Sequence, residues 1–132
     1  MVLVDTNVLL DVLEDDPRWF DWSAGQLRAQ AQAGVLAIDP VIYAELSLTF
    51  KSSAELDQAI DNLRLKLLEL PRPALFLAGK AFAHYRHRGG THPNVLADFF
   101  IGAHAAVLRC PVLTRDASRY RNYFPSVRLI TP

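Results

Sequence analysis

The chain has 132 residues, 51% of them apolar and 21% charged, with as many acidic as basic groups. This is the size and balance of one compact domain spanning residues 1–132, and it excludes a disordered or fibrous chain. No basic stretch leading into a long apolar segment opens the sequence, and the longest uncharged apolar run, within Phe99–Leu108, is interrupted by Gly102 and His104. A secretory signal and a membrane span are therefore not expected, and a cytoplasmic location is. The lone Cys110 cannot form an internal disulfide and reads as a small buried apolar residue.

Val2–Val4 is a short continuous apolar run, the pattern of a strand covered on both faces. Thr6 or Asn7 is placed to cap a helix reaching about Asp16, before Pro17. A second helix is expected from Arg18 to Ala33, closed by Gly34, followed by a strand at Val35–Ile38. Asp39 then caps, and Pro40 begins, a helix ending near Phe50 or Lys51, with Val41, Ile42, Glu45, Leu48 and Thr49 on one face.

Ser52 or Ser53 starts another helix, with Leu56, Ile60 and Leu63 inward, and Leu67–Leu70 is a third strand candidate. Pro71 and Pro73 precede a helix to about Arg88. Gly89, Gly90 and Pro93 mark a loop before a helix from about Asn94 to Leu108, and strands follow at Val112–Thr114 and Val127–Ile130. Short apolar strands alternating with helices predict a three-layer α/β/α sandwich around a central, mostly parallel sheet of four or five strands.

Charge is unevenly spread. Residues 1–66 carry five basic and eleven acidic groups, and residues 67–132 carry nine and three, so a basic half could meet phosphates beside an acidic, cation-binding half.

Four acids stand where apolar or neutral residues would be ordinary. Asp5 ends the first strand and Asp116 follows the Val112–Thr114 strand, at the carboxyl edge where open α/β sheets bind ligands. Glu45 lies at helical spacing from Val41, Ile42 and Leu48, and Asp98 from Val95, Ile101 and Gly102, so both face inward. An unpaired inward carboxylate costs several kcal/mol, and one shared cation would satisfy all four. A ligand set of carboxylates alone favours Mg²⁺ or Mn²⁺, ions suited to phosphodiester hydrolysis. Each acid also has a separate reading: Asp5 as a capping acid, Asp116 as a partner of Arg115 or Arg119, and Glu45 and Asp98 as arginine-paired core acids. One site explains them together.

VLVDTNVLLD at the start, the inward Glu45, NVLADFFIGAHA around Asp98 and VLTRDASRYRNYFP around Asp116 resemble a PIN domain, more narrowly the VapC-type toxins of bacterial toxin–antitoxin pairs. The resemblance spans essentially the whole chain. It implies an endoribonuclease requiring Mg²⁺ or Mn²⁺, with Asp5, Glu45, Asp98 and Asp116 at the metal and Asn7 and Thr114 supporting them. Thr6 is divided between capping and the site. It further implies inhibition of translation and growth, a homodimer, and a cognate antitoxin of the VapB type.

Arg86, Arg88, Arg115, Arg119 and Arg121 are the candidates for contact with an RNA substrate, against the alternative of solvated surface. Trp19, Phe20 and Trp22 crowd one helix and suit either core packing or a partner's groove. His84, His87 and His92 sit in a basic stretch that disfavours zinc, and His104, about 240° round the helix from Asp98, falls outside the site. A haloacid-dehalogenase phosphatase would need an acid where Asn7 stands, and no P-loop is present. The remaining alternatives are a PIN nuclease of RNA processing and a catalytically silent RNA-binding module.

Overall fold

The computed structural model describes residues 1–92 and 95–132. The expected loop marker Pro93 and helix start Asn94 therefore lie outside the described residues. Strand β1 (Val2–Val4) leads into α1 (Thr6–Leu13) and α2 (Phe20–Ala33), then β2 (Leu36–Ile38), α3 (Pro40–Ser47), α4 (Ser53–Asn62) and β3 (Lys66–Leu67). The second half comprises α5 (Arg72–His87), α6 (Leu96–Leu108), β4 (Val112–Leu113), α7 (Ser118–Tyr123) and β5 (Leu129–Ile130).

The five strands form one sheet in the order β3-β2-β1-β4-β5, and every pairing is parallel. The predicted sandwich is thus observed, with all strands in parallel. β1, β2 and β4 are wholly buried, as strands covered by helices on both faces must be. The edge strand β3 is exposed and carries Lys66, a charge that discourages further strand addition.

The strand order places the site. The chain builds outward from β1 through β2 to β3, then returns to lay β4 against the other side of β1. The crevice at the carboxyl ends of β1 and β4 is therefore the topological switch point, where open parallel sheets bind ligands. In register, Leu3 pairs with Val112 and Val4 with Leu113, so Asp5 and Thr114 emerge side by side.

Several boundaries differ from expectation. Asp5, not Thr6 or Asn7, is the N-cap of α1, and its side chain makes no capping bond because it is engaged elsewhere. Helix α3 stops at Ser47, so Leu48 and Thr49 fall outside the helix and are exposed; the buried stripe is Ile42 and Leu46. Helix α7 was not foreseen from its polar sequence SRYRNY. It packs on α6, with Tyr120 buried beneath it.

Local signals held elsewhere. Asp39 accepts hydrogen bonds from the N–H groups of Val41 and Ile42, with Pro40 opening α3 where a missing N–H costs nothing. Ser52 caps α4 through the Glu55 N–H. Cys110 is buried, as its apolar reading required.

Candidate active site

Asp5 is buried at the end of β1, and its side chain is held by three donors on one oxygen. Thr114 and Tyr120 donate hydroxyls to Asp5 Oδ2, each at 2.8 Å, and Asn7 Nδ2 approaches it at 3.4 Å. No other side chain among the described residues bonds Oδ1. Asn7 also donates to Thr114 Oγ1 at 3.2 Å and accepts from the Arg115 N–H at 3.1 Å, which ties the loop after β4 to the start of α1. The Asp116 N–H closes the set on Thr114 Oγ1 at 3.1 Å.

Glu45, half-buried on α3, receives the Thr6 hydroxyl on Oε1 at 2.7 Å. Thr6 therefore orients the candidate carboxylate Glu45 as well as beginning α1. Asp98 lies in the first turn of α6, half-buried, and Asp116 is exposed beyond β4.

These acids feel one another. Burial raises the Asp5 carboxyl to about 6, with the nearby Glu45 charge adding to the rise and the Tyr120 and Thr114 hydroxyls opposing it. Burial raises Asp98 further, to about 7, and the charges of Asp5, Asp116 and Glu45 all push the same way. The Arg119 guanidinium opposes them, but its Nε stands 3.9 Å from Asp98 Oδ2. Burial beside Asp5 and Asp98 likewise drives the Tyr120 hydroxyl well above its ordinary value, so it is a stable donor.

An oxygen-only donor set in which burial raises Asp5 and Asp98 fits a divalent cation, whose charge would favour their ionised forms. Among the described residues no three Asp, Glu, His or Cys side chains are already gathered into a ligand cluster. A bound ion would have to draw the carboxylates inward. His84, His87 and His92 form no ligand group either.

The five arginines separate by environment. Arg115 turns inward: Nε and an Nη meet both oxygens of buried Asp11 at 2.6 and 2.9 Å, and the guanidinium lies over Trp19 at 5.2 Å. Ser23 donates to the same Asp11 at 2.6 Å. Arg119 lies over the Tyr85 ring at 4.9 Å on its way to Asp98. Arg86 and Arg88 lie over Phe82 and Tyr123 and are exposed, as is Arg121. Trp19 and Trp22 meet edge to face at 6.2 Å, half-buried.

Two contributors escaped sequence reasoning. Tyr120 reaches Asp5 across 115 positions, and its signal was an aromatic residue one helical turn past Asp116. Asp11 pairs with Arg115 across 104 positions, with no local signal.

A PIN domain model matches residues 2–125. The chain belongs to the PIN domain family. PIN domains are nucleases acting on phosphodiester bonds and generally use divalent metal ions. Similar solved structures include VapBC2 from Rickettsia felis bound to a DNA fragment from its promoter, at 20% identity and a TM-score of 0.77, covering 100% of this chain and 99% of that one. VapBC-1 from nontypeable Haemophilus influenzae is similar at 18% identity and 0.71, covering 99% and 98%. FitAcB from Neisseria gonorrhoeae is similar at 21% and 0.67, covering 98% and 96%. At these identities the likeness is one of fold. No curated protein matches the sequence. Among the described residues of this PIN domain, no helix is long and apolar enough to cross a membrane.

Proposed function

We propose that this PIN domain is a metal-dependent endoribonuclease and the toxin of a toxin–antitoxin pair, restraining translation and growth until a VapB-type antitoxin silences it. The observation that carries the nuclease reading is the placement of Asp5 at the sheet's switch point, one oxygen held by Thr114 and Tyr120, with the Thr6-bonded Glu45 and with Asp98 and Asp116 on the adjoining elements. The toxin reading is supported by the fold's likeness to VapBC and FitAB structures. A homodimer and a cytoplasmic location belong to the same reading.

Asp5, Glu45, Asp98 and Asp116 would hold Mg²⁺ or Mn²⁺, and such an ion, when bound, activates water and stabilises the leaving oxygen of a phosphodiester. The protein's own part is orientation. Thr114 and Tyr120 fix one oxygen of Asp5, leaving the other for a ligand, and Thr6 fixes one oxygen of Glu45. Arg119, with an Nε that makes no hydrogen bond among the described residues, is placed beside Asp98 to meet a phosphate. Arg86, Arg88 and Arg121 are exposed where RNA backbone can reach them.

The test is incubation of purified, antitoxin-free protein with total cellular RNA in Mg²⁺ or Mn²⁺, with EDTA and with Asp98→Asn as controls. The expected result is a discrete set of new RNA ends that both controls abolish. Intact RNA with folded wild-type protein would sink the enzyme reading.

A further inference from the structure

We infer that the buried Asp39–His104 pair is a positioning clamp that sets the separation of Glu45 and Asp98 and so tunes how tightly the site takes a cation. This rests on the metal-site reading above. Asp39 and His104 are both wholly buried, with Asp39 Oδ2 and His104 Nδ1 3.0 Å apart. The other oxygen of Asp39 accepts from the N–H groups of Val41 and Ile42, each at 3.0 Å. One carboxylate therefore fastens the first turn of α3 to the middle of α6.

The site acids stand at the far ends of the same two helices. Glu45 lies six residues after Asp39 on α3, and Asp98 six residues before His104 on α6. Six residues of helix rise about 9 Å. With α3 packed on α6, the clamp joins the helices at one end while Glu45 and Asp98 stand toward the other.

Capping α3 does not need the imidazole. Asparagine or serine at position 39 would satisfy the same N–H groups. Nor is His104 a comfortable core residue, because its Nε2 is buried without a hydrogen-bond partner among the described residues. Among the described residues its side chain's one polar bond is to Asp39.

The experiment measures Mn²⁺ binding directly, by the electron paramagnetic resonance signal of free ion, at a temperature where each protein is folded. Asp39→Ser keeps the cap but is too short to reach the imidazole; His104→Leu keeps bulk but removes the bond; His104→Asn returns an amide N–H near the Nδ1 position. We expect the first two to weaken Mn²⁺ binding by about 10-fold to 100-fold, as loss of groups that orient metal ligands does, and His104→Asn to recover most of it. Unchanged Mn²⁺ affinity in folded Asp39→Ser and His104→Leu would overturn the clamp, since a merely structural role lowers melting temperature alone. Crystal structures of the metal-free variants give a second readout. A changed Glu45–Asp98 separation supports the clamp and an unchanged one overturns it. Wild-type protein that takes no Mn²⁺ would instead remove the metal reading, leaving the clamp to be decided by that separation.

Discussion

The Tyr120 hydroxyl donates to Asp5 Oδ2 across 2.8 Å, linking the first strand to a helix 115 positions later. That bond favours the ionised carboxylate, in opposition to the burial that holds Asp5 at about 6. Tyr120→Phe removes the donor while keeping the ring packed. The Asp5 carboxyl should then rise further, so protons compete better with the cation. We expect the acidic limb of the pH–rate profile in Mn²⁺ to move to higher pH, with a rate at neutral pH reduced by roughly 10-fold or more. An unmoved limb would show that the hydroxyl does not tune Asp5.

Four of the strands, the Asp39 cap and the placement of the four candidate acids were legible because each is written locally, whereas the third strand, expected at Leu67–Leu70, lies at Lys66–Leu67. An apolar run ending in Asp5, or a helix with Asp98 on its apolar side, is a contradiction within ten residues. What stayed hidden was set by long-range packing. Polar α7 becomes a helix because burying Tyr120 against α6 rewards it, and the end of α3 at Ser47 has no glycine or proline to announce it. Arg115 is the sharpest case. Its neighbours suggest a phosphate contact, yet a buried carboxylate on α1, invisible to local reading, claims it.

Arg115 should therefore behave as a structural residue. Arg115→Ala leaves Asp11 buried with only Ser23 as side-chain partner and uncovers Trp19, a change that costs about 3 kcal/mol when one member of a buried ion pair is removed. Chemical denaturation should read that loss. Arg121→Ala, on an exposed cation, should leave stability within about 0.5 kcal/mol of wild type. If Arg115→Ala unfolded like Arg121→Ala, the Asp11 pair would contribute little.

Gly102 sits one turn beyond Asp98, where any Cβ would run into the Phe124 ring. Phe124 is itself buried against Phe99, so it has little room to yield. Gly102→Ala should destabilise the protein by about 1–3 kcal/mol, despite alanine's better helix propensity. A raised melting temperature would mean that α6 and α7 separate more readily than their packing suggests.

The raised carboxyls also fix a pH dependence. Asp5 and Asp98 move from 3.8 to about 6 and about 7 on folding, so between these values the native state binds more protons than the unfolded chain. Their contribution to stability is full below 3.8 and is lost as pH rises through 6 and 7. Asp16, shifted downward by the Trp19 and Arg18 N–H groups, acts in the opposite sense but only below its ordinary value, outside this window. The melting temperature of metal-free protein should fall between about pH 5 and about pH 8. Asp98→Asn removes the larger of the two titrations and part of the repulsion, and should flatten that fall while lowering cleavage by more than about 100-fold. Adding Mn²⁺ at the alkaline end should restore the melting temperature, and calorimetry in buffers of different ionisation enthalpy should register proton release on binding near neutral pH. A melting temperature that instead rose across this window without metal would mean that Asp5 and Asp98 are already ionised and balanced by the protein itself, with no charge left for a cation to satisfy.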